Sequence, residues 1–156
     1  MNDQKPPRIA GDERATLLTL LQYQRESFVR KVTGVSDTEA SSSPVSSGTS
    51  LLWLTNHMAD AESNWVLRRF AQHTEASLLA LHAETVSEAA DRYLEVCRKV
   101  DEVVADTADL SQLCPSFDVG QPVNLRWILA HLLEETARHA GHADILREIL
   151  DGGTGR

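Results

Sequence analysis

The sequence predicts an all-α protein folded as an antiparallel four-helix bundle, or as a bundle with one longer crossover. Four segments place apolar residues at steps of three and four, which is the period of an amphipathic helix. A capping residue precedes each segment, and nothing between the segments alternates convincingly with the period of two expected of a β-strand. These three observations favour helices packed around one apolar core.

The first predicted helix runs from about Asp12 to Thr33. Asp12 can cap its N-terminus, Glu13 suits the helix dipole in the first turn, and Gly34 ends it. The residues of its inner face are Leu17, Leu21, Gln24, Phe28 and Val32.

The segment after this helix is rich in serine. Residues 34–49 contain Pro44 and Gly48, which predicts a loop with a short helical turn after Ser36. Loops of this length without structure are uncommon in compact domains. Two interpretations follow, a flexible connection and a loop that crosses the mouth of a site.

The second predicted helix runs from about Leu51 to His73, capped by Ser50 or Thr49. Its inner face is predicted to hold Leu54, His57 or Met58, Ala61, Trp65 and Phe70.

The third helix is predicted at about 86–106. Its stripe is Ala89, Tyr93, Val96, Cys97, Val100, Val103 and Val104, and its cap is Thr85, which has capping-box spacing to Glu88.

The fourth helix is the longest of the set. Residues 107–123 are irregular, with a brief extended stretch expected over 113–119. Asn124 then caps a helix that continues to about Leu150.

Length and charge limit the kinds of partner. The chain has 156 residues and a formal net charge of −8, which favours a single domain over residues 1–156 with an ordered core at about 12–151. The acidic balance argues against nucleic acid or an anionic membrane as a partner, because both attract basic surfaces. The N-terminus lacks an apolar signal stretch, and no run approaches the ~18 residues of a membrane span. We therefore expect a cytoplasmic protein.

Two cysteines and several aromatic and histidine residues have plain structural interpretations. Cys97 and Cys114 are too few for a disulfide framework or a cysteine-rich zinc module. Cys97 is predicted in the core, and Cys114 is predicted as a surface thiol or a loop thiol. The predicted surface histidines are His73 and His82. Three tryptophans at helical spacing could line a cavity but are more typical of a core: Trp53, Trp65 and Trp127.

The fourth helix carries polar residues where a core-facing seam is normally apolar. At alternating steps of four and three, the seam reads Ile128, Leu132, Glu135, His139, His142, Leu146 and Ile149. A buried carboxylate without a partner is costly, so the three central residues need a common partner. A metal ion meets that need. The alternative is a hydrogen-bonded polar network without metal.

Spacing suggests which residues would bind the ion. Glu135 and His139 lie one turn apart on one side of the helix, and His57 is the candidate third ligand if the second and fourth helices are neighbours. The pairs His139 with His142 and His131 with Glu135 are alternatives. Zinc is the default cation, while nickel, iron and manganese also suit imidazole and carboxylate ligands. Two histidines and one carboxylate with open positions are typical of a catalytic site.

Two stretches resemble the DinB-like superfamily. They are SGTSLLWLTNHMADAE at 47–62 and WILAHLLEETARHAGHADILRE at 127–148. The similarity extends over about 12–153, and the most similar branch is the actinobacterial one that includes mycothiol-dependent enzymes.

The resemblance implies a four-helix bundle with a divalent metal, often zinc or nickel, near one end. Many members of the superfamily use three histidines, whereas this sequence has Glu135 at the first position of the final pair. That set is similar to the His/Glu/His ligands of the mycothiol-dependent maleylpyruvate isomerase branch. The resemblance therefore favours His57, Glu135 and His139 as ligands, and it makes a homodimer plausible.

The chemistry that the resemblance implies is thiol transfer in detoxification or stress. A low-molecular-weight thiol such as mycothiol would bind the metal as a thiolate and attack an electrophilic small molecule. His142 and Asp144 are the candidates for orienting ligands or substrate. The alternatives are a metal-dependent hydrolase or isomerase that uses metal-bound water, with His142 as general base, and a non-catalytic metal-binding stress protein.

Overall fold

Four long helices form the bundle that the sequence predicts. The computed structural model describes residues 5–74, 82–115 and 121–154. In this part of the chain the long helices are α1 (Glu13–Val32), α3 (Leu51–Glu62, continued by a π-helical segment at Ser63–Phe70), α4 (Val86–Asp106) and α5 (Leu125–Asp151), and one short helix, α2 (Asp37–Ser41), follows α1. The all-α prediction is therefore confirmed for the described residues.

Each long helix begins where its predicted cap stands. Every cap side chain accepts a hydrogen bond from the backbone N–H three residues later, which satisfies a donor that the first turn leaves free. These caps are Asp12, Ser50, Thr85 and Asn124. Gly34 follows α1 with φ of +76°, a left-handed conformation that favours glycine.

The serine-rich connection contains the predicted short helical turn. Ser36 caps α2 through a capping box with Glu39, in which each side chain bonds to the backbone N–H of the other residue. After α2 the chain is exposed as far as Gly48, and α3 begins at Leu51 after its cap, Ser50.

The second long helix changes its hydrogen-bonding pattern part-way along. The α-helix ends at Glu62, and a π-helix follows from Ser63 to Phe70. The prediction of one continuous α-helix to about His73 is therefore wrong in the type of its second half and in its end point. An apolar stripe cannot reveal such a change, because both kinds of helix place apolar residues on a buried face. π-Helical turns are rare and frequently occur at functional sites.

Helix packing places α3 beside α5. Helix α1 packs mainly against α5, and α3 packs against both α4 and α5. His57 of α3 lies opposite Glu135 of α5, and Trp65 lies opposite Trp127, so these two helices run antiparallel. His57 was predicted as the third metal ligand on the condition that these two helices are neighbours, and that condition is met.

The two cysteines are both buried. Cys97 lies in the core as predicted. Cys114 is only 1% exposed, so the prediction of a surface thiol is wrong, while its place in a loop is confirmed. Its backbone N–H donates to the carbonyl of Val123 at 2.8 Å, beside an antiparallel bridge between Leu113 and Asn124 that fixes the loop. Residues 116–119 of the predicted extended stretch lie outside the described residues.

The seam on α5 is buried over only part of its predicted length. His142 is exposed and Ile149 is 56% exposed, so both predictions of a core position are wrong. A straight α-helix drifts by about 20° per heptad relative to a 3.5-residue repeat, and the seam turns toward solvent as it proceeds. Two tryptophans predicted in the core, Trp53 and Trp127, are also close to half exposed.

None of the helices in the described ranges is both long and apolar enough to span a bilayer.

Candidate metal centre

Three donor side chains meet where α3 packs against the middle of α5. Glu135 Oε1 lies 3.2 Å from His57 Nε2 and 3.0 Å from His139 Nε2. One donor atom from each of the three residues lies within 4.8 Å of the other two, which is a grouping that could hold a metal ion. The three residues that spacing and resemblance favoured are therefore adjacent in space.

The three side chains differ in their exposure. His139 and Glu135 are largely buried, whereas the His57 side chain is 33% exposed. The cluster is thus partly open to solvent on the side of His57 rather than enclosed in the core. An ion held there would keep a side accessible to small molecules, as catalytic zinc sites require.

The electrostatics of the cluster favour the protonation states that a metal needs. Burial raises the pKa of the Glu135 carboxyl, but the hydrogen bonds from His57 and His139 outweigh burial and bring that pKa below its usual value. Burial lowers the pKa of His139, and the attraction of Glu135 only partly offsets this effect. At neutral pH the site therefore offers a carboxylate and a neutral imidazole, the forms that coordinate metal ions.

Two aromatic side chains hold the ligand rings in place. His142 Nδ1 lies 3.2 Å from His139 Nδ1, the ring nitrogen that points away from Glu135. Trp53 stacks on His57 with a ring-centroid separation of 5.0 Å and an interplanar angle of 6°. Contacts of this kind orient metal ligands and select their tautomers. Trp53 was not predicted for this position, although its spacing of four residues from His57 on one helix face is a signal for it.

The alternative ligand pairs are not supported by the geometry. His131 turns toward Trp65 and Trp127, with ring-centroid separations of 5.1 and 5.0 Å, and it is absent from the metal-ligand grouping found among the described residues. His142 approaches the outer nitrogen of His139 rather than the point shared with Glu135.

Asp144 lies on another side of α5. Nine residues separate Asp144 from Glu135, which at about 100° per residue places the two on opposite faces of the helix. The Asp144 carboxylate forms an ion pair with the buried Lys31 of α1. The structure therefore does not bring Asp144 to the cluster, unlike His142.

Comparison with known proteins identifies the family. The family model described as mycothiol-S-transferase matches residues 16–152. The chain belongs to the mycothiol-S-transferase family. A search among curated proteins found no match for this family member.

Two solved structures share the fold of this mycothiol-S-transferase family member. A conserved protein from Enterococcus faecalis superimposes with a TM-score of 0.67 at 16% identity, covering 89% of this chain and 97% of that chain. A DinB-like protein from Bacillus cereus ATCC 10987 gives a TM-score of 0.67 at 18% identity, covering 86% of this chain and 91% of that chain. The fold that the DinB-like resemblance implies is confirmed by these two structures.

Proposed function

We propose that this protein transfers the thiol of mycothiol to an electrophilic small molecule and that His57, Glu135 and His139 hold the divalent cation on which the reaction depends. The observation that carries the proposal is the convergence of these three donors on one point in a chain of the mycothiol-S-transferase family. Zinc is the cation we expect, because two imidazoles and one carboxylate with an accessible side are typical of catalytic zinc.

The donor set fits a metal ion. Two imidazole nitrogens approach the same carboxylate oxygen, so each must donate a proton to it when no cation is bound. Donors around a tetrahedral zinc ion are separated by ~3.4 Å for bonds of ~2.1 Å. Separations of 3.0 and 3.2 Å to Glu135 are close to that value.

The residues of this chain have distinct parts in the proposed reaction. His57, Glu135 and His139 bind the cation, Trp53 holds the ring of His57, and His142 fixes the ring of His139. A divalent cation held there would lower the pKa of a bound thiol and supply the thiolate at neutral pH. In the product a new carbon–sulfur bond replaces the bond to the leaving group, which departs with its electron pair, while the thiol proton passes to water.

The cysteines of the chain are unsuited to supply the nucleophile. Burial raises the pKa of the Cys97 thiol well above its usual value, and the nearby carboxylate of Glu62 raises that pKa further. Cys114 is buried in its loop. The proposed reaction therefore needs a thiol as cosubstrate.

A thiol screen tests the proposal. We expect conjugation of an electrophile such as 1-chloro-2,4-dinitrobenzene to run at least about tenfold faster with mycothiol than with glutathione, bacillithiol or no thiol, a difference of ~1.4 kcal/mol in barrier. Removal of the metal by a chelator should abolish the enzymatic rate, and added zinc should restore it. Hydrolysis of esters or amides by the same protein without any thiol would contradict the proposal and favour a hydrolase.

A further inference from the structure

A small cavity lies near the candidate metal centre, and the ring of His142 stands between the two. Its volume is about 300 Å³, at the lower end of the range for small-molecule sites. One wall comes from the loop before α3 and the other from the last turns of α5. The lining residues are Val45, Ser47, Thr49, His142, Ile145 and Leu146.

His142 connects this cavity to the metal ligands. Its ring both lines the cavity and contacts the Nδ1 atom of His139 at 3.2 Å. A molecule in the cavity therefore lies one side chain away from the cluster. The loop that forms the opposite wall belongs to the serine-rich connection, for which the sequence left open the interpretation of a loop at the mouth of a site.

The surface of the cavity is mainly apolar, and its lining among the described residues carries no carboxylate, lysine or arginine. Val45 and Ile145 are 39% and 58% exposed, so apolar surface faces solvent where a ligand would cover it. The two hydroxyls of the lining, on Ser47 and Thr49, already bond to each other at 2.9 Å. Mycothiol is rich in hydroxyl groups, and a lining with two hydroxyls and one imidazole offers few partners for them.

We propose that this cavity binds the apolar part of the electrophilic substrate and so presents its reactive carbon to the thiol at the cluster. That the bound molecule is a substrate rests on the proposed function. The favoured substrates are small electrophiles with an alkyl or aryl body, because a cavity of this volume and lining selects for compact apolar groups.

Equilibrium binding of unreactive ligands tests the cavity without any catalytic turnover. We expect the affinity of the purified protein for N-alkylacetamides, measured by NMR titration from methyl to pentyl, to increase by up to about fourfold with each buried methylene. Ile145→Ser should reduce the gain in affinity per methylene, and Val45→Ser in the opposite wall should reduce it as well. Both residues are partly exposed, so both variants should fold.

Ile149→Ser is the matched control. Ile149 lies one turn beyond Ile145 on α5 and is 56% exposed, but it does not line the cavity. The dependence on chain length should be the same in this variant as in the parent protein. An affinity that does not change with chain length, or one that Ile145→Ser leaves unaltered, would overturn the proposal.

A kinetic arm separates this proposal from the proposed function. The corresponding N-alkyl-2-bromoacetamides react with a thiol by forming a carbon–sulfur bond and releasing bromide, and kcat/KM with mycothiol should increase along the series as binding does. Thiol transfer with no dependence on chain length would overturn the cavity assignment alone. Chain-length-dependent binding without transfer to any electrophile would overturn the proposed function and the role of the ligand as a substrate.

Discussion

His139→Ala is expected to abolish binding of the proposed divalent cation and to reduce the proposed thiol transfer to the uncatalysed level. The imidazole supplies one of the three proposed donors, and its loss leaves His57 as the remaining imidazole beside Glu135, whose other carboxylate oxygen lies 3.9 Å from Arg138. Loss of a residue that merely supports a ligand typically costs 10–100-fold in metal affinity, so loss of a ligand should cost more than ~100-fold. Metal content by elemental analysis and kcat/KM with mycothiol measure the two effects.

Variants of the other two proposed ligands and of a surface histidine complete this experiment. His57→Ala and Glu135→Gln should give the same loss of metal, because each removes one donor or one charge from the cluster. His73→Ala is the control, since His73 is exposed beyond the end of the π-helical segment. Full metal occupancy in His139→Ala, with a thermal transition like that of the parent protein, would contradict the ligand assignment.

Glu62→Gln is expected to destabilise the protein by about 3 kcal/mol. The Glu62 side chain is fully buried between α1 and α4, where Arg25 donates to both of its carboxylate oxygens and Tyr93 donates to one of them at 3.2 Å. Burial lowers the pKa of Arg25, but the attraction of Glu62 outweighs burial, so the guanidinium stays charged. Removing one partner of a buried ion pair leaves the other charge uncompensated, which typically costs 3–5 kcal/mol.

The expected loss of stability lies at the lower end of that range because Arg25 keeps a second partner, Asp101. Asp101 accepts a hydrogen bond from Arg25 at 2.8 Å, but its side chain is 50% exposed and water weakens the attraction. For a domain of this size the change corresponds to a fall in Tm of ~6–12 °C. Urea denaturation measures the free energy of unfolding directly.

An exposed ion pair provides the matched control for this substitution. Glu95 of α4 pairs with Arg98 at the surface, where both side chains are at least half exposed. Glu95→Gln should leave the unfolding transition close to that of the parent protein, because exposed pairs contribute little. Equal stability losses in Glu62→Gln and Glu95→Gln would contradict the importance that we attach to burial.

The sequence was sufficient to predict the fold because its local signals agree. The side chains of Asp12, Ser50, Thr85 and Asn124 all accept the cap hydrogen bonds that their positions predict. The π-helical segment could not be predicted from the sequence, because a pattern of apolar residues does not specify which backbone groups bond to each other. The buried pair of Arg25 and Glu62 was also missed, because each charge lies next to an apolar stripe and only the tertiary structure brings them together.

The candidate site was predictable to a different degree on each helix. Glu135 and His139 follow from their spacing within α5, because a helix fixes the relation of residues four apart. His57 lies 78 residues before Glu135 in the chain, so its inclusion depended on the packing of α3 against α5 and on the DinB-like resemblance. Spacing placed His142 in the core, whereas the drift of the seam exposes it beside the cavity.

The most direct test of the central claim is the absorption spectrum of the cobalt-substituted protein before and after addition of mycothiol. We expect one Co²⁺ per chain with the visible bands of a tetrahedral nitrogen and oxygen site, and a new sulfur-to-cobalt charge-transfer band when the thiol is added. Both features should be absent in His139→Ala and present in His73→Ala. A spectrum that mycothiol leaves unchanged, or cobalt bound equally well by His139→Ala, would contradict a thiol-activating metal at His57, Glu135 and His139.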